Sequence, residues 1–206
     1  MQVKQQIVSP KIISERSYGY GNEKNYITIH ETGNTNRGAD AQAHANIQSN
    51  YNDREASWQY QVDDKEIIQS FPDDVRCWAA GSTKGNNESI HIEICVNEDG
   101  DYQKALDNAR ELVKRLMVKH SIPPENVVTH NYWSGKICPK NLLPHFDVWK
   151  KGIEKDEFVK ADRFAHEAQE WVMEQGISDG SRPRDTVTRQ ELWVMLHRFN
   201  KEISKK

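Results

Sequence analysis

Apolar and polar side chains alternate most cleanly over residues 89–96, Ser-Ile-His-Ile-Glu-Ile-Cys-Val. Ile90, Ile92, Ile94 and Val96 share one face, and His91, Glu93 and Cys95 share the other, so the stretch predicts a strand with one aliphatic side. A carboxylate on the far side must meet solvent or line a cleft. Residues 26–29 alternate in the same way and predict a second strand that ends at His30. Residues 57–62 and 66–71 predict a hairpin turning at Asp63-Asp64, and residues 127–130 a further short strand. Residues 101–120 set Leu106, Val113, Leu116 and Met117 at helical spacing, and Pro123 and Pro124 follow to stop them. Residues 39–51 predict a weaker helix through Ala41 and Ala45. Residues 1–25 read as an irregular lead-in with a loop at Gly19 and Gly21. Residues 31–38 read as turn, and residues 77–88 as a loop rich in Gly and Asn.

The pattern changes near residue 150. Residues 150–157 are charged and without period, which places a linker at 154–160 between a unit at 1–153 and a smaller one at 161–206. In the tail, Ala161, Phe164, Ala165, Ala168, Trp171 and Val172 form an apolar stripe ending at Gly176. Thr188 and Glu191 have capping-box spacing, followed by Leu192, Met195 or Leu196, Phe199 and Ile203 on one face. Two helices joined by a loop are expected, a unit too small to stand well alone.

Composition narrows the function classes. The 206 residues are 36% hydrophobic and 29% charged, with 28 basic against 31 acidic groups. Nucleic-acid binders normally carry a basic surplus, so that class is set aside. No run approaches the ~18 apolar residues of a membrane span. The first residues lack the apolar core of a secretory signal, so the expectation is synthesis in the cytoplasm and action after release. Cys77, Cys95 and Cys138 cannot all pair with one another. In a reducing compartment Cys77 and Cys95 read as small buried hydrophobes.

Cys138 differs because of its neighbours. His130-Asn131-Tyr132-Trp133-Ser134-Gly135-Lys136-Ile137-Cys138-Pro139 puts an imidazole, an amine and a thiol around one short turn. Imidazole and thiolate both bind zinc, and His30, at its strand end, is the candidate third ligand. Three protein ligands leave one position open for water, which is the catalytic arrangement. Glu93 suits a general base acting on that water; the alternative is a strand Glu paired with a Lys. Lys136 suits stabilisation of an oxyanion; the alternative is a solvated turn lysine. His91, on the face of Glu93, is a candidate supporting residue. His44 and His120 read as surface positions on helices.

These residues resemble a known family. Tyr26-Ile27-Thr28-Ile29-His30, Ala39-Asp40-Ala41-Gln42-Ala43-His44, Ser57-Trp58, Val62-Asp63-Asp64, Trp78-Ala79-Ala80-Gly81, residues 89–95 and residues 130–139 look like the zinc-dependent N-acetylmuramoyl-L-alanine amidases. The likeness is to the type-2 enzymes that Bacillus phages and prophages encode as endolysins or autolysins, and it covers about residues 7–153. It implies an α/β fold, a mixed central β-sheet flanked by helices, with a Zn2+ cleft on one face. It implies cleavage of the amide between N-acetylmuramic acid and L-alanine in peptidoglycan. By position, His30, His130 and Cys138 become the metal ligands, Glu93 the catalytic carboxylate and Lys136 the oxyanion-stabilising cation. Thr32 and Trp78 fall where such enzymes line the cleft. One departure is Gln59, where relatives often carry His after Ser-Trp. The tail resembles one S-layer-homology repeat through Ala165, Trp171, Gly176-Ile177-Ser178-Asp179-Gly180, Arg182-Pro183, Val187-Thr188-Arg189 and Glu191. That likeness implies a secondary cell-wall polymer as partner, with a homodimer through the tail helices as the alternative. Two rival activities share these features: a non-catalytic peptidoglycan-binding module, and a zinc peptidase cutting within the stem peptide.

Overall fold

The computed structural model describes residues 1–50, 55–154, 161, 163–178, 180 and 187–203. The chain opens with strand β1 (Val3–Gln5), helix α1 (Pro10–Arg16) and strand β2 (Ser17–Tyr20), followed by β3 (Tyr26–Glu31) and helix α2 (Ala41–Ser49). Strands β4 (Tyr60–Val62), β5 (Ile67–Gln69) and β6 (Val75–Cys77), helix α3 (Thr83–Glu88) and strand β7 (Ser89–Ile94) come next. The long helix α4 (Tyr102–His120), strand β8 (Val127–Thr129) and helices α5 (His130–Ser134) and α6 (Phe146–Glu154) complete the larger unit. Helices α7 (His166–Glu174) and α8 (Arg189–Ile203) lie in the tail.

Six strands form one mixed sheet in the order β1-β5-β4-β7-β3-β8. The predicted hairpin is its antiparallel pair, β4 with β5, and every other neighbour runs parallel. The predicted aliphatic face of β7 faces α4. Ile90, Ile92 and Ile94 join Ile27, Ile29, Tyr60, Val62 and Ile67 from the sheet and Leu112, Val113 and Leu116 from the helix in one core. Each fully buried isoleucine there is worth roughly 2–3 kcal/mol. Asp101 caps α4 by accepting from the Lys104 amide, and Ser121 ends it in a left-handed conformation. The expected α/β architecture is therefore found.

Several local expectations are corrected. Residues 1–25 are not an irregular lead-in. Ser9 caps α1 ahead of Pro10, a start signal that short apolar content concealed. β1 gains its place only by parallel pairing with β5, a partner more than 60 residues away that no local pattern reveals. Residues 77–88 are not all loop. Ser82 caps the one-and-a-half-turn α3, whose Gly85 is required by close packing, because a Cβ there would sit 2.5 Å from Ala80 and 2.8 Å from Trp133. Helix α6 runs through residues first read as charged linker, because Trp149 and Ile153 reach the main core. The rest of the proposed linker, residues 155–160, lies outside the described residues, as do Tyr51, Asp179, Arg182 and Pro183. His44 is buried rather than a surface residue; Ala41 and Ala45 on its helix pack under β5. The capping box in the tail is realised, with Glu191 accepting from the Thr188 amide at 2.8 Å and Thr188 from the Glu191 amide at 3.2 Å.

His120 is half-buried, drawn in by Asp73. Beside the far end of the sheet, the Asp73 carboxylate accepts from Tyr60 Oη at 2.6 Å, from Gln69 Nε2 at 3.0 Å and from His120 Nε2 at 2.8 Å. Lys119 stands 3.3 Å away. Burial alone would raise this carboxyl. The bonds from His120 and Tyr60 and the charge of Lys119 outweigh it and hold the carboxyl below the usual range. A depressed folded-state pKa contributes stability above the unfolded value of about 3.9, and that contribution fades as pH falls through the folded value. Asp73→Ala is expected to lose about 2–3 kcal/mol near neutrality, since the donors are left unmatched. Urea denaturation of both proteins from neutral pH down to strong acid checks this. The gap between them must narrow below about pH 4, and a constant gap refutes the assignment.

Candidate metal centre

The sheet face opposite α4 is polar yet buried. Thr28, His30, Gln59, Gln61 and His91 are each at most 1% exposed. Buried polar groups cost free energy unless they are hydrogen-bonded, and here most of them find partners on neighbouring strands and loops. Thr28 Oγ1 donates to Ser89 Oγ at 2.9 Å and accepts from Trp133 Nε1 at 2.8 Å. Gln61 donates to Ser70 Oγ and accepts from Trp58 Nε1, each at 2.9 Å. Gln59, the departure from the family pattern, donates to the Val75 carbonyl at 2.7 Å and accepts from the His91 amide at 2.8 Å. Its amide therefore stitches β6 to β7.

On this floor His30, His130 and Cys138 converge. One ligand atom from each lies within 4.8 Å of the others. His30 Nδ1 is 3.0 Å from His130 Nδ1 and 3.9 Å from Cys138 Sγ. His30 comes from the end of β3. His130 begins α5 immediately after β8, the neighbour of β3, and Thr129 caps that helix through the Tyr132 amide. A tight turn then returns the chain. The Cys138 amide donates to the Lys136 carbonyl at 2.8 Å, the Asn131 side chain donates to the same carbonyl at 2.9 Å, and the Asn131 amide donates to the Cys138 carbonyl at 3.0 Å. The Cys138-Pro139 peptide is cis.

The donor set fits a divalent ion. Two imidazole nitrogens bound tetrahedrally at about 2.0–2.1 Å sit roughly 3.3 Å apart, and a nitrogen and a thiolate sulfur roughly 3.6 Å. The two separations from His30 differ from these by only a few tenths of an ångström. Burial drives His30 well below its ordinary pKa, aided by His91, His130 and Lys136. Burial and then Lys136 take His130 down to about 4. Both imidazoles are thus neutral at physiological pH, the form that ligates a metal. Burial pushes the Cys138 thiol up to about 11, so without a cation the sulfur keeps its proton. His30 Nε2 lies 3.1 Å from His91 Nδ1. With Nδ1 of His30 facing a metal, its proton sits on Nε2 and is donated to His91, a common way of orienting a ligand imidazole.

Glu93 pairs in register with His30 across the parallel ladder, which sets both side chains on the cleft face. It is half-buried, and its charge raises the Cys138 thiol. Lys136 is exposed, and its charge lowers the imidazoles of His30 and His130. Lys136 and His130 line a cleft of about 670 Å³ together with Trp78, Tyr18, Gly81 and Ser134. Trp78 is half-buried, edge-on to Tyr18 with ring centres 5.6 Å apart. Thr32 lies just beyond the end of β3, where its amide donates to the Ile94 carbonyl, and it does not line that cleft.

Two supporting features escape the sequence pattern. Glu31 reads as turn, yet its buried carboxylate accepts from the Asn141 amide at 2.9 Å, the Leu142 amide at 3.0 Å and the Tyr102 hydroxyl. Trp133 reads only as part of a motif, yet it closes the floor under His30 through Thr28. The one available signal for Glu31 is its position. Strand alternation turns it away from His30 and toward the apolar side, where a carboxylate needs donors.

Comparison with known proteins agrees with this geometry. Residues 20–141 match the family described as N-acetylmuramoyl-L-alanine amidase. The chain is 50% identical over 137 residues to the N-acetylmuramoyl-L-alanine amidase XlyA of Bacillus subtilis, covering 66% of this chain and 46% of that protein. It is 46% identical over 142 residues to the amidase CwlH of the same organism, covering 68% of this chain and 56% of that protein. The chain thus spans about half the length of these curated relatives. Among solved structures, the catalytic domain of XlyA superposes with a TM-score of 0.70 at 45% identity, covering 74% of this chain and 99% of that domain. PlyL gives 0.68 at 36% identity, over 74% of this chain and 97% of the other.

Proposed function

Because the chain belongs to the N-acetylmuramoyl-L-alanine amidase family, we propose that it hydrolyses the amide between N-acetylmuramic acid and L-alanine of peptidoglycan. The observation that carries this reading is the meeting of two neutral imidazoles and a thiol, one of the imidazoles lining an open cleft with Lys136 and the other in register with Glu93 on the neighbouring strand. His30, His130 and Cys138 would hold Zn2+. Bound there, zinc lowers the pKa of a water toward ~7 and polarises a carbonyl.

The chain's own groups supply the rest. Glu93 accepts the proton of the attacking water and returns it to the departing alanine nitrogen. Lys136 sets its ammonium against the negative charge that develops on the carbonyl oxygen. The walls formed by Trp78 and Tyr18 hold the substrate, and Thr32, set off from that cleft, would serve at its margin. A non-catalytic peptidoglycan-binding module is less favoured, because pure binding has no use for a buried thiol among neutral imidazoles. A zinc peptidase acting within the stem peptide would use the same groups, so the bond cut must be read directly.

We propose a catalytic unit at 1–153, a linker at 154–160, of which Glu154 closes α6, and a tail unit at 161–206. We propose that the tail, by its likeness to one S-layer-homology repeat, engages a secondary cell-wall polymer. Its exposed Trp193, Leu196 and Trp171 favour a surface that is covered in use; pairing of two tails is the alternative. No described helix is long and apolar enough to cross a membrane. The site of action is the cell wall, reached on release, as for a phage-type lytic enzyme.

Removing zinc with a chelator is expected to abolish wall lysis, and restoring it to recover lysis. Cys138→Ser should lose the metal. Glu93→Ala should keep it while turnover falls about 10²–10⁴-fold, and Lys136→Ala should cost about 10²–10³-fold. Metal content by atomic spectroscopy alongside turbidity assays separates these outcomes; a Glu93→Ala protein that lyses walls at the native rate removes Glu93 from its role. Mass spectrometry of digested peptidoglycan should find stem peptides with a free L-alanine amino terminus. New termini inside the stem would instead assign a peptidase.

A further inference from the structure

Glu31 stands next to a proposed ligand, yet its side chain points to the opposite side of the sheet. There it is 8% exposed, and its carboxylate takes three donors from two separate parts of the chain. Tyr102, the first residue of α4, donates its hydroxyl to Oε1. The Leu142 amide donates to Oε1 at 3.0 Å and the Asn141 amide to Oε2 at 2.9 Å. Burial, and then the bond to Glu31, raises the Tyr102 hydroxyl far above its ordinary value, so Tyr102 stays a donor.

The two amides belong to the turn that leaves Cys138. Residues 139–145 coil tightly, with the Leu143 amide on the Pro139 carbonyl at 2.8 Å. The Glu31 carbonyl also lies 4.0 Å from Cys138 Sγ, at the reach of a weak S–H bond. One residue therefore grips the cysteine loop twice, by its main chain at the sulfur and by its side chain three and four residues further on. The same residue is covalently joined to His30. On its other side the Cys138 loop is tied by hydrogen bonds through Asn131 and Lys136, within its own turn.

We propose that Glu31 is a positioning residue of the metal centre: its buried carboxylate, braced by Tyr102, fixes the Cys138 loop against the end of β3 so that the thiol faces the two imidazoles. The inference rests on the zinc reading above. A carboxylate suits this task because two backbone amides and a hydroxyl all present protons to it, and charged acceptors make the stronger bonds. Alanine abolishes all three bonds. Glutamine keeps an oxygen for Tyr102 and Leu142 but turns an N–H₂ toward the Asn141 amide, so it restores the grip in part.

Zinc affinity of the full chain, by competition with a chromophoric chelator, is the primary measurement. Glu31→Ala is expected to bind about 10–100-fold more weakly, as residues supporting metal ligands typically do. Glu31→Gln should fall between it and the unsubstituted chain. Cobalt supplies a second readout, because the thiolate-to-cobalt absorption band reports Cys138 directly. That band should weaken in Glu31→Ala and recover in part in Glu31→Gln. Asp73→Asn, which loosens the fold far from the centre, should leave both affinity and band unchanged. Should Glu31→Ala not fold, Tyr102→Phe removes a single brace and should still weaken zinc binding several-fold. Native affinity and a native cobalt band in folded Glu31→Gln and Tyr102→Phe overturn the inference while leaving the zinc reading intact. An unsubstituted chain that takes up no zinc overturns both.

Discussion

The structure depends on keeping a polar surface dry. One face of the central sheet carries Thr28, His30, Gln59, Gln61 and His91, all buried. An unmatched amide or imidazole there would cost on the order of 1–3 kcal/mol. The chain meets most of this cost by closing the face with its own donors and acceptors, leaving His91 Nε2 without a hydrogen-bond partner among the described residues. Trp133, Ser89, Ser70, Trp58 and the backbone of β6 and β7 take up the side chains in pairs. What remains is a hard, low-dielectric floor. It forces His30 and His91 to be neutral, and it leaves the ring nitrogen of His30 no freedom to turn away.

That floor explains where the chemistry sits. Parallel strands deliver their carboxyl ends to one edge of the sheet, and sites of open α/β sheets gather at such ends. β3 ends at His30 and Glu31, and β8 passes directly into α5 at His130. Glu93 lies near the end of β7, beside them in register. The opposite face gives the rigidity that this placement needs. The isoleucines of β3 and β7 are locked against α4, so the strands cannot rotate to relieve the crowding of His30, His91 and His130. Trp149 and Ile153 extend the same core to α6, which follows the Cys138 loop and anchors its far end.

Much of this was legible in the residues. The 89–94 alternation names both the aliphatic face and the functional one, and the 101–120 spacing names the helix that covers the first. His130 and Cys138 are close in sequence, so their meeting needs only a turn. His30 was legible as a strand end, although its proximity to His130 is a fact of strand order. Less was legible where pairing or packing crosses long distances. β1 exists only because β5 receives it. Helix α3 exists because Ser82 caps it and because Gly85 lets it approach Trp133. His44 looked like the polar side of a weak helix, but that side faces Cys95 and Trp58. Gln59 looked like a lost imidazole. It is an amide whose two ends serve two strands at once, a pairing for which the neutral imidazole's single donor and single acceptor would need a different geometry.

The electrostatic layout follows from the same division between floor and rim. A carboxylate and an ammonium can act on opposite charges of one reaction only if they do not simply neutralise each other. Glu93 is fixed on a strand, half-buried, with its charge felt at Cys138. Lys136 is carried by an exposed turn, with its charge felt at His30 and His130. One group thus sits on the rigid sheet and the other on a turn pinned by Asn131 and Cys138. The loop that carries Lys136 is therefore the same loop that presents the thiol, and whatever holds Cys138 in place also sets the reach of that ammonium over the cleft.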